Sequence, residues 1–326
     1  IRIVINYNPK EIQKTVKEIH PTCMCSVPRF WEKVYTAIVN NVENAAPMVR
    51  MLFKRAIAVA KKREMKYVRT GKKVPMLLEK QYQYFDKKVY SRLRSAIGFE
   101  QPHLFPTAGA MLSDNITEFL RSIGLPITIG YGLSETTATV SFVPDTNWEL
   151  GTIGTPIPGV KVKIGDENEI LVKGPTIMKG YYHKPEETAK AIDKDGWFHT
   201  GDLATMSEDG HFFVRGRSKN MLLGPNGQNI YPEEIEDKLN SLAMVNESIV
   251  LQSNDKLVAL VHPDMEEVSN LGFTDEDLIN IMEENRKELN QQMPSFAHIS
   301  RIQLHDTEFE KTAKKSIKRY LYQDAI

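Results

Sequence analysis

The sequence predicts a mixed architecture, α/β followed by α+β, and three changes of texture along the chain carry that prediction. Residues 102–132 alternate strand, helix and strand, the rhythm of a βαβ unit and of a parallel sheet. From Gly151 onward glycines and prolines recur every few residues between short β-branched runs, which suits a small antiparallel sheet or barrel with tight turns. After Arg217 the pattern changes again, to amphipathic helices and short apolar strands. The expected organisation is a partial large domain over 1–217, with mixed sheet and helices, and a small α+β domain over 218–326. The large domain divides into an α/β part with a helical insert over 1–150 and a small β-subdomain over 151–217.

Taken in order, residues 8–20 read as a polar helix and 21–27 as a short strand. Residues 29–97 are helical and heavily charged, broken near Gly71 and Pro75. Within them, residues 54–73 hold nine Lys or Arg and a single acid, Glu64. Such a helix can touch an anionic surface. Its interleaved apolar residues suit ordinary packing, and a solvated helix face is the preferred reading. Ser113 stands as N-cap before a helix at 116–123. In the last part a helix over 232–242 opens on Pro-Glu-Glu, which suits a helix N-terminus. Strands follow at 248–252 and 256–262, then a helix at 275–292 and a strand at 299–304.

The length of 326 residues fits about two domains. Lys plus Arg balances Asp plus Glu at 42 each, so no net field draws nucleic acid or an acidic membrane. Cys23 and Cys25 lack zinc-type spacing and are expected as reduced core residues, which places the protein in the cytoplasm. No apolar run approaches the roughly 18 residues of a membrane span. The start, Ile1-Arg2-Ile3-Val4-Ile5, has neither initiator Met nor signal peptide, and the chain is expected to be a fragment of a longer protein.

Several short segments carry chemistry. Gly130-Tyr131-Gly132-Leu133-Ser134-Glu135-Thr136 follows a β-prone run. Its glycines allow a tight turn and close approach to a ligand. The ring, hydroxyls and carboxylate that follow offer a face for a base, donors for a phosphate and an oxygen for Mg²⁺. The plain alternative is a strand-to-loop turn in solvent. Trp197-Phe198-His199-Thr200-Gly201-Asp202 puts an acid after a Thr-Gly turn, where it accepts from a diol or merely caps the turn. Val214-Arg215-Gly216-Arg217-Ser218-Lys219-Asn220 is a hinge, an anion contact or a linker. Gly224 to Glu236 joins a Gly-rich turn to a helix start. The tail, Lys311 to Arg319, holds five cations in nine residues, able to reach phosphates or to sit in solvent.

These segments, in this order, with Thr107-Ala108-Gly109-Ala110-Met111 and Lys173-Gly174-Pro175-Thr176-Ile177-Met178-Lys179-Gly180-Tyr181-Tyr182, resemble the adenylate-forming (AMP-binding) superfamily over nearly the whole chain. The stretch Val27-Pro28-Arg29-Phe30-Trp31-Glu32-Lys33-Val34-Tyr35 and the helical insert after it resemble its long-chain fatty acyl-CoA synthetase branch.

The resemblance implies a ligase that converts a fatty acid and ATP to acyl-adenylate and pyrophosphate, then passes the acyl group to coenzyme A. It implies ATP, Mg²⁺ and coenzyme A as the small molecules bound. It assigns Gly109 and Ala110 to the adenine, Tyr131 to stacking on it, and Gly132, Ser134 and Thr136 to the nucleotide, with Ser134 touching phosphate. Glu135 would hold Mg²⁺. Asp202 would accept the ribose hydroxyls and Arg217 would support them. Lys219 falls at the hinge of a mobile C-terminal domain, and Gly227 on the loop lining the pantetheine channel.

Two departures stand out. The family's Ser/Thr/Gly-rich phosphate loop is not among these residues, so the fragment alone is expected to turn over poorly. Aligning Ile317 and Arg319 with the family's tail puts Ser316 where its adenylation lysine stands, which leaves Lys315, one residue away, as the catalytic candidate. Rival readings are an enzyme that acylates a carrier protein, a non-catalytic nucleotide- or acyl-binding protein, and a membrane-surface protein docking through the basic helix. No nucleic-acid partner is expected, and the oligomeric state is open.

Overall fold

The computed structural model describes residues 2–8, 11–224, 227–312 and 317–323. It separates into two compact units. The first comprises Ile1–Lys163, Leu171–Thr200 and Met206–Phe213, and the second Ile164–Ile170, Gly201–Thr205 and Val214–Ile326.

The first unit begins with helices α1 (Ile12–Ile19), α2 (Pro28–Glu43), α3 (Pro47–Arg63), α4 (Met76–Phe85) and α5 (Ser91–Ala96). The single broken helical stretch expected over 29–97 is thus four α-helices, with π-helical turns at Glu64–Val68 and Asp86–Tyr90. Pro47 opens α3 and supplies a break that the sequence reading passed over. Proline at the first helical position costs no hydrogen bond and fixes φ in the helical range. The helices bury Trp31, Val34, Ile38, Ala56, Ala60 and Tyr90. Trp31 packs on Phe99 and Phe105 at 5.4 and 5.5 Å between ring centres, and its indole N–H donates to Ser26 Oγ at 2.7 Å. Part of the basic stretch is used inside the unit. Lys61 pairs with Glu118 at 2.7 Å, Arg63 with Glu79 at 2.8 Å, and Arg69 donates to the Trp148 carbonyl at 2.9 Å.

The expected strand–helix–strand unit is β1 (Phe105–Thr107), α6 (Asp114–Ser122) and β2 (Ile127–Tyr131). β1 and β2 are parallel, in the register Phe105↔Ile127 to Thr107↔Ile129. Antiparallel β3 (Ser141–Phe142) and β4 (Thr155–Pro156) complete the sheet in the order β1-β2-β3-β4. Ser113 occupies the N-cap position of α6, but its side chain makes no capping bond. Arg121, on α6, is buried against Glu64 at 3.4 Å and lies 4.5 Å over the Trp148 ring. The strand expected at 21–27 survives only as two bridges, Cys23↔Leu104 and Ser26↔Thr107. That is why Cys23 and Cys25, expected in the core, are exposed free thiols instead.

Strands β5 (Lys161–Ile164), β6 (Glu169–Lys173), β7 (Phe198–Met206) and β8 (Phe212–Arg217) follow one another in chain order within one sheet. Helix α7 (Pro185–Ala191) lies between β6 and β7 in the chain and opens on Pro185.

In the second unit, β9 (Leu222–Leu223) pairs with β10 (Asn229–Ile230), and α8 (Pro232–Leu239) follows. β11 (Val245–Ser253) and β12 (Lys256–Pro263) form an antiparallel pair, and β13 (Ile299–Leu304) joins β12 in parallel. α9 (Met265–Leu271) and α10 (Asp275–Gln292) complete the α+β unit. Its core gathers Ile235, Leu239, Ala259, Val261, Leu289 and Ile299. Thr274 and Asp277 cap α10 reciprocally, which satisfies two of its free N-terminal donors.

Candidate active site

The first group of site residues belongs to the first unit. Because β1 and β2 run parallel, the chain leaves both strands at the same edge of the sheet. In open α/β sheets ligands gather at that carboxyl edge. Gly109 and Ala110 follow β1 there. Gly109 has φ +100°, a conformation costly for a side chain, and nothing lies within 4 Å of where its Cβ would be. Tyr131 ends β2 and is half-buried.

The next residues fold into a short turn. A Cβ on Gly132 would stand 1.9 Å from the Ala138 carbonyl oxygen, so the backbone itself fills the space a side chain needs. The buried Thr136 hydroxyl accepts the Leu133 N–H at 2.9 Å and donates to the Leu133 carbonyl at 3.0 Å. Thr136 therefore shapes the turn that carries Ser134 and Glu135. Ser134 is exposed at the start of the turn. Gly132→Ala is expected to cost about 1–3 kcal/mol, the usual penalty for forcing atoms into filled space, and to weaken nucleotide binding with it. Thermal unfolding and nucleotide titration of the variant check both.

Glu135 projects from this turn with its two carboxylate oxygens in different states. Oε1 accepts from the Tyr181 hydroxyl at 3.1 Å. Oε2 is buried and has no partner among the described residues. An orphaned carboxylate oxygen is costly unless something positive meets it. Burial first, and the Glu135 carboxylate next, push the Tyr181 phenol above its ordinary value, which keeps it a donor. The segment around Tyr181 also grips the turn through its backbone. Met178 N–H donates to the Glu135 carbonyl at 2.8 Å, and Thr137 Oγ1 to the Thr176 carbonyl at 2.7 Å.

Among the described residues no group of three or more His, Cys, Asp or Glu could hold a metal. A single carboxylate is nevertheless what Mg²⁺ asks of a protein when substrate phosphates and water supply its other ligands. Glu135 fits that role.

The second group belongs to the second unit. Asp202, buried on β7, pairs with Arg217 at the end of β8, at 2.8 Å from Oδ1 to Nε. Gly201 N–H donates to Glu169 Oε1 at 2.8 Å and fixes the turn before Asp202. Lys219 is exposed in the turn Ser218–Asn220. Its neighbour Asn220 donates to Glu233 Oε1 at 2.5 Å, and Arg215 pairs with Glu234 at 3.3 Å. The first turn of α8 thus holds both sides of the segment in which Lys219 lies. Gly227, at φ +79°, is exposed on the loop between β9 and β10. Gln228 of that loop and Ile230 of β10 line a cavity of about 490 Å³ with Gln252, Phe296 and His298.

The basic tail is largely committed. Lys311 pairs with Glu247 at 2.6 Å, Lys318 with Glu310 at 3.0 Å, and Arg319 with Glu236. Three of the five cations expected to reach phosphates thus serve the unit's own structure. Lys315 and Ser316 lie outside the described residues.

Sequence reasoning quoted Tyr181 in a motif but gave it no task, and it missed Glu169 and the pairing of Arg319 with Glu236. His199 Nε2 lies 4.0 Å from Asp193 Oδ2.

A family model described as AMP-binding enzyme matches residues 2–182, and one described as AMP-binding enzyme C-terminal domain matches residues 220–325. The chain is 34% identical over 233 residues to the long-chain-fatty-acid–CoA ligase FadD15 of Mycobacterium tuberculosis, covering 71% of this chain and 38% of that protein. It is 30% identical over 265 residues to the peroxisomal long chain acyl-CoA synthetase 7 of Arabidopsis thaliana, covering 76% of this chain and 36% of that one. The chain thus spans less than two fifths of the length of these relatives. The crystal structure of ATP-bound MatB from Rhodopseudomonas palustris matches 72% of this chain and 50% of its own, at 25% identity and a TM-score of 0.56. The adenylation domain of a carboxylate reductase from Mycobacterium chelonae shares the fold over 97% of this chain and 47% of its own, with a TM-score of 0.66 at 18% identity. With a glycine-walled turn presenting Glu135 at the carboxyl edge of a parallel sheet, and both family models matching in order, the chain belongs to the AMP-binding enzyme family.

Proposed function

We propose that the full-length protein is an AMP-forming ligase that activates a fatty acid with ATP and transfers the acyl group to coenzyme A. The observation that carries this reading is Glu135, whose second carboxylate oxygen is buried without a partner among the described residues, on the nucleotide-type turn. A carboxylate substrate is a poor electrophile, and joining it to AMP gives the acyl carbon a good leaving group.

In this reading Gly109, Ala110 and Tyr131 receive the adenine, Tyr131 by stacking. The Gly132 turn lets the backbone come close to the nucleotide, and the exposed Ser134 hydroxyl donates to phosphate. Glu135 holds the Mg²⁺ ion, which when bound neutralises charge on the phosphates. Asp202 accepts from the ribose hydroxyls, and Arg217, already paired with it, holds that carboxylate in place. Residues 1–217 form the part of the adenylation domain present here and 218–326 a mobile domain. Lys219 is its hinge, an arrangement that conformational gating between two half-reactions requires. The loop at Gly227 lines the pantetheine channel, and Lys315 serves catalysis in place of a lysine at 316. Exposed, unpaired Cys23 and Cys25 suit a reducing compartment, and we take the protein as cytoplasmic.

Fatty-acid preference rests on the long-chain ligases among the relatives. The test is product formation by the full-length protein with fatty, aryl and amino acids, each offered free coenzyme A or a carrier-protein pantetheine. Acyl-CoA from fatty acids is expected. Turnover only with aryl or amino acids, or transfer only to the carrier, overturns the assignment. Residues 1–326 alone, among which no Ser/Thr/Gly-rich phosphate loop occurs, are expected to give little or no acyl-CoA in the same assay.

A further inference from the structure

We propose that Tyr181 is a positioning residue for Glu135: its hydroxyl engages one carboxylate oxygen, so that the other is offered singly to the divalent cation that accompanies the nucleotide. The proposal rests on the reading of Glu135 as the metal ligand. Tyr181 lies 46 residues from Glu135 in the chain and donates to Oε1 at 3.1 Å, while Oε2 stays buried and without a partner among the described residues. A phenol hydrogen bond takes up one lone pair of its oxygen and weakens that oxygen as a ligand, so a cation is directed to the other.

The structure holds Tyr181 where this requires. Its N–H donates to Thr188 Oγ1 at 2.9 Å, and that hydroxyl donates in turn to the Lys184 carbonyl at 2.9 Å. A Cβ on Gly180 would meet Thr188 Cγ2 at 2.8 Å, so the glycine allows the chain to lie against α7 immediately before the tyrosine. The same loop grips the Glu135 backbone through Met178, and grips Thr137 through the Thr176 carbonyl. Tyr181 is 36% exposed, and the bond from its hydroxyl to Glu135 Oε1 is its side-chain hydrogen bond among the described residues.

The cation chemistry gives the inference its signature. Mg²⁺ takes near-octahedral geometry with single carboxylate oxygens, phosphates and water, whereas Ca²⁺ readily accepts both oxygens of one carboxylate. Removing the phenol frees Oε1 and relaxes the single-oxygen constraint. Tyr181→Phe should therefore weaken support by Mg²⁺ and spare or improve support by Ca²⁺.

The experiment is calorimetric titration of ATP into the full-length protein over a range of Mg²⁺ or Ca²⁺ concentrations, with metal-free AMP as reference. Wild type, Tyr181→Phe, Glu135→Gln and the double variant are compared. Tyr181→Phe is expected to raise the Mg²⁺ concentration for half-maximal ATP binding about 3- to 10-fold, the size of one ordinary hydrogen bond at a partly exposed site. The Ca²⁺ value and AMP binding should hold. In the double variant the tyrosine change should have no further effect, because its effect runs through the carboxylate. An equal shift with both cations, a matching loss of AMP affinity, or no shift overturns the positioning role. If Glu135→Gln leaves Mg²⁺ dependence unchanged, the metal-ligand reading itself fails, and this inference fails with it.

Discussion

Glu135→Gln in the full-length protein is expected to lower acid-dependent pyrophosphate release by about a hundredfold or more, equivalent to about 2.7 kcal/mol of barrier. The reasoning is local. Glutamine keeps the size of the side chain and retains a carbonyl oxygen for the Tyr181 hydroxyl, which now donates to Oε1 at 3.1 Å. The bond from Met178 goes to the backbone carbonyl and survives unchanged. The fold should therefore stand at least as firmly as in wild type, because the neutral amide removes a buried charge that has no partner among the described residues. What is lost is the negative charge on Oε2, the buried oxygen that has no partner among the described residues. A bound metal supplies several kcal/mol of charge stabilisation in phosphoryl chemistry, and its protein ligand controls how much of that is realised. Pyrophosphate release by a variant shown folded by circular dichroism is the measurement. Activity within about tenfold of wild type would remove Glu135 from the chemistry.

Arg319→Ala is expected to destabilise the C-terminal unit by about 3–5 kcal/mol, the usual result of removing one partner from a buried ion pair. Glu236 lies on α8, and its carboxylate is buried. One oxygen accepts the Val250 N–H at 2.5 Å, and the other accepts from Arg319. Arg319 also donates to the Val250 carbonyl at 3.2 Å and lies 3.9 Å from Glu233. Arg319 thus fastens the tail to both α8 and β11. Without the guanidinium, Glu236 keeps one hydrogen bond and a charge that burial disfavours.

The same pair gives a pH dependence of defined sign. Burial pushes the Glu236 carboxyl above its ordinary value, and Arg319 opposes that push. A carboxyl whose folded value is raised binds its proton more tightly folded than unfolded. Its contribution is complete below the unfolded value and is lost as pH rises through the folded one. Removing Arg319 takes away an opposing influence and enlarges the upward shift. The deficit of the variant should therefore be smallest in mild acid and widen toward neutrality. Chemical denaturation across that range tests it, and a deficit independent of pH would contradict the assignment.

The βαβ unit was legible because strand and helix periods alternate over 102–132, and β1, α6 and β2 are where that alternation puts them. Helix α10 and strand β13 have the bounds the pattern predicts. The break before α3 has its signal in Pro47, which opens that helix. The strand at 21–27 failed for another reason. Its alternation is genuine, but the segment touches β1 at only two bridges and leaves both cysteines exposed.

For the site, motif order located the turn at 132–136 and the acid at 202. It could not distinguish what each hydroxyl does. Thr136 reads as a nucleotide contact by type and spacing, and its hydroxyl also closes its own turn. Partners distant in sequence were invisible, since neither composition nor periodicity relates Tyr181 to Glu135 or Arg319 to Glu236, 46 and 83 residues apart.

The central claim is that the full-length protein activates a carboxylate by joining it to AMP. The most direct measurement is the fate of the α-phosphate, followed with ATP labelled at that position, a fatty acid and no coenzyme A. The account predicts label in a protein-bound acyl-adenylate, released as AMP when coenzyme A is added, with pyrophosphate as the other product. Label appearing in ADP, with the acyl group on phosphate, would contradict it.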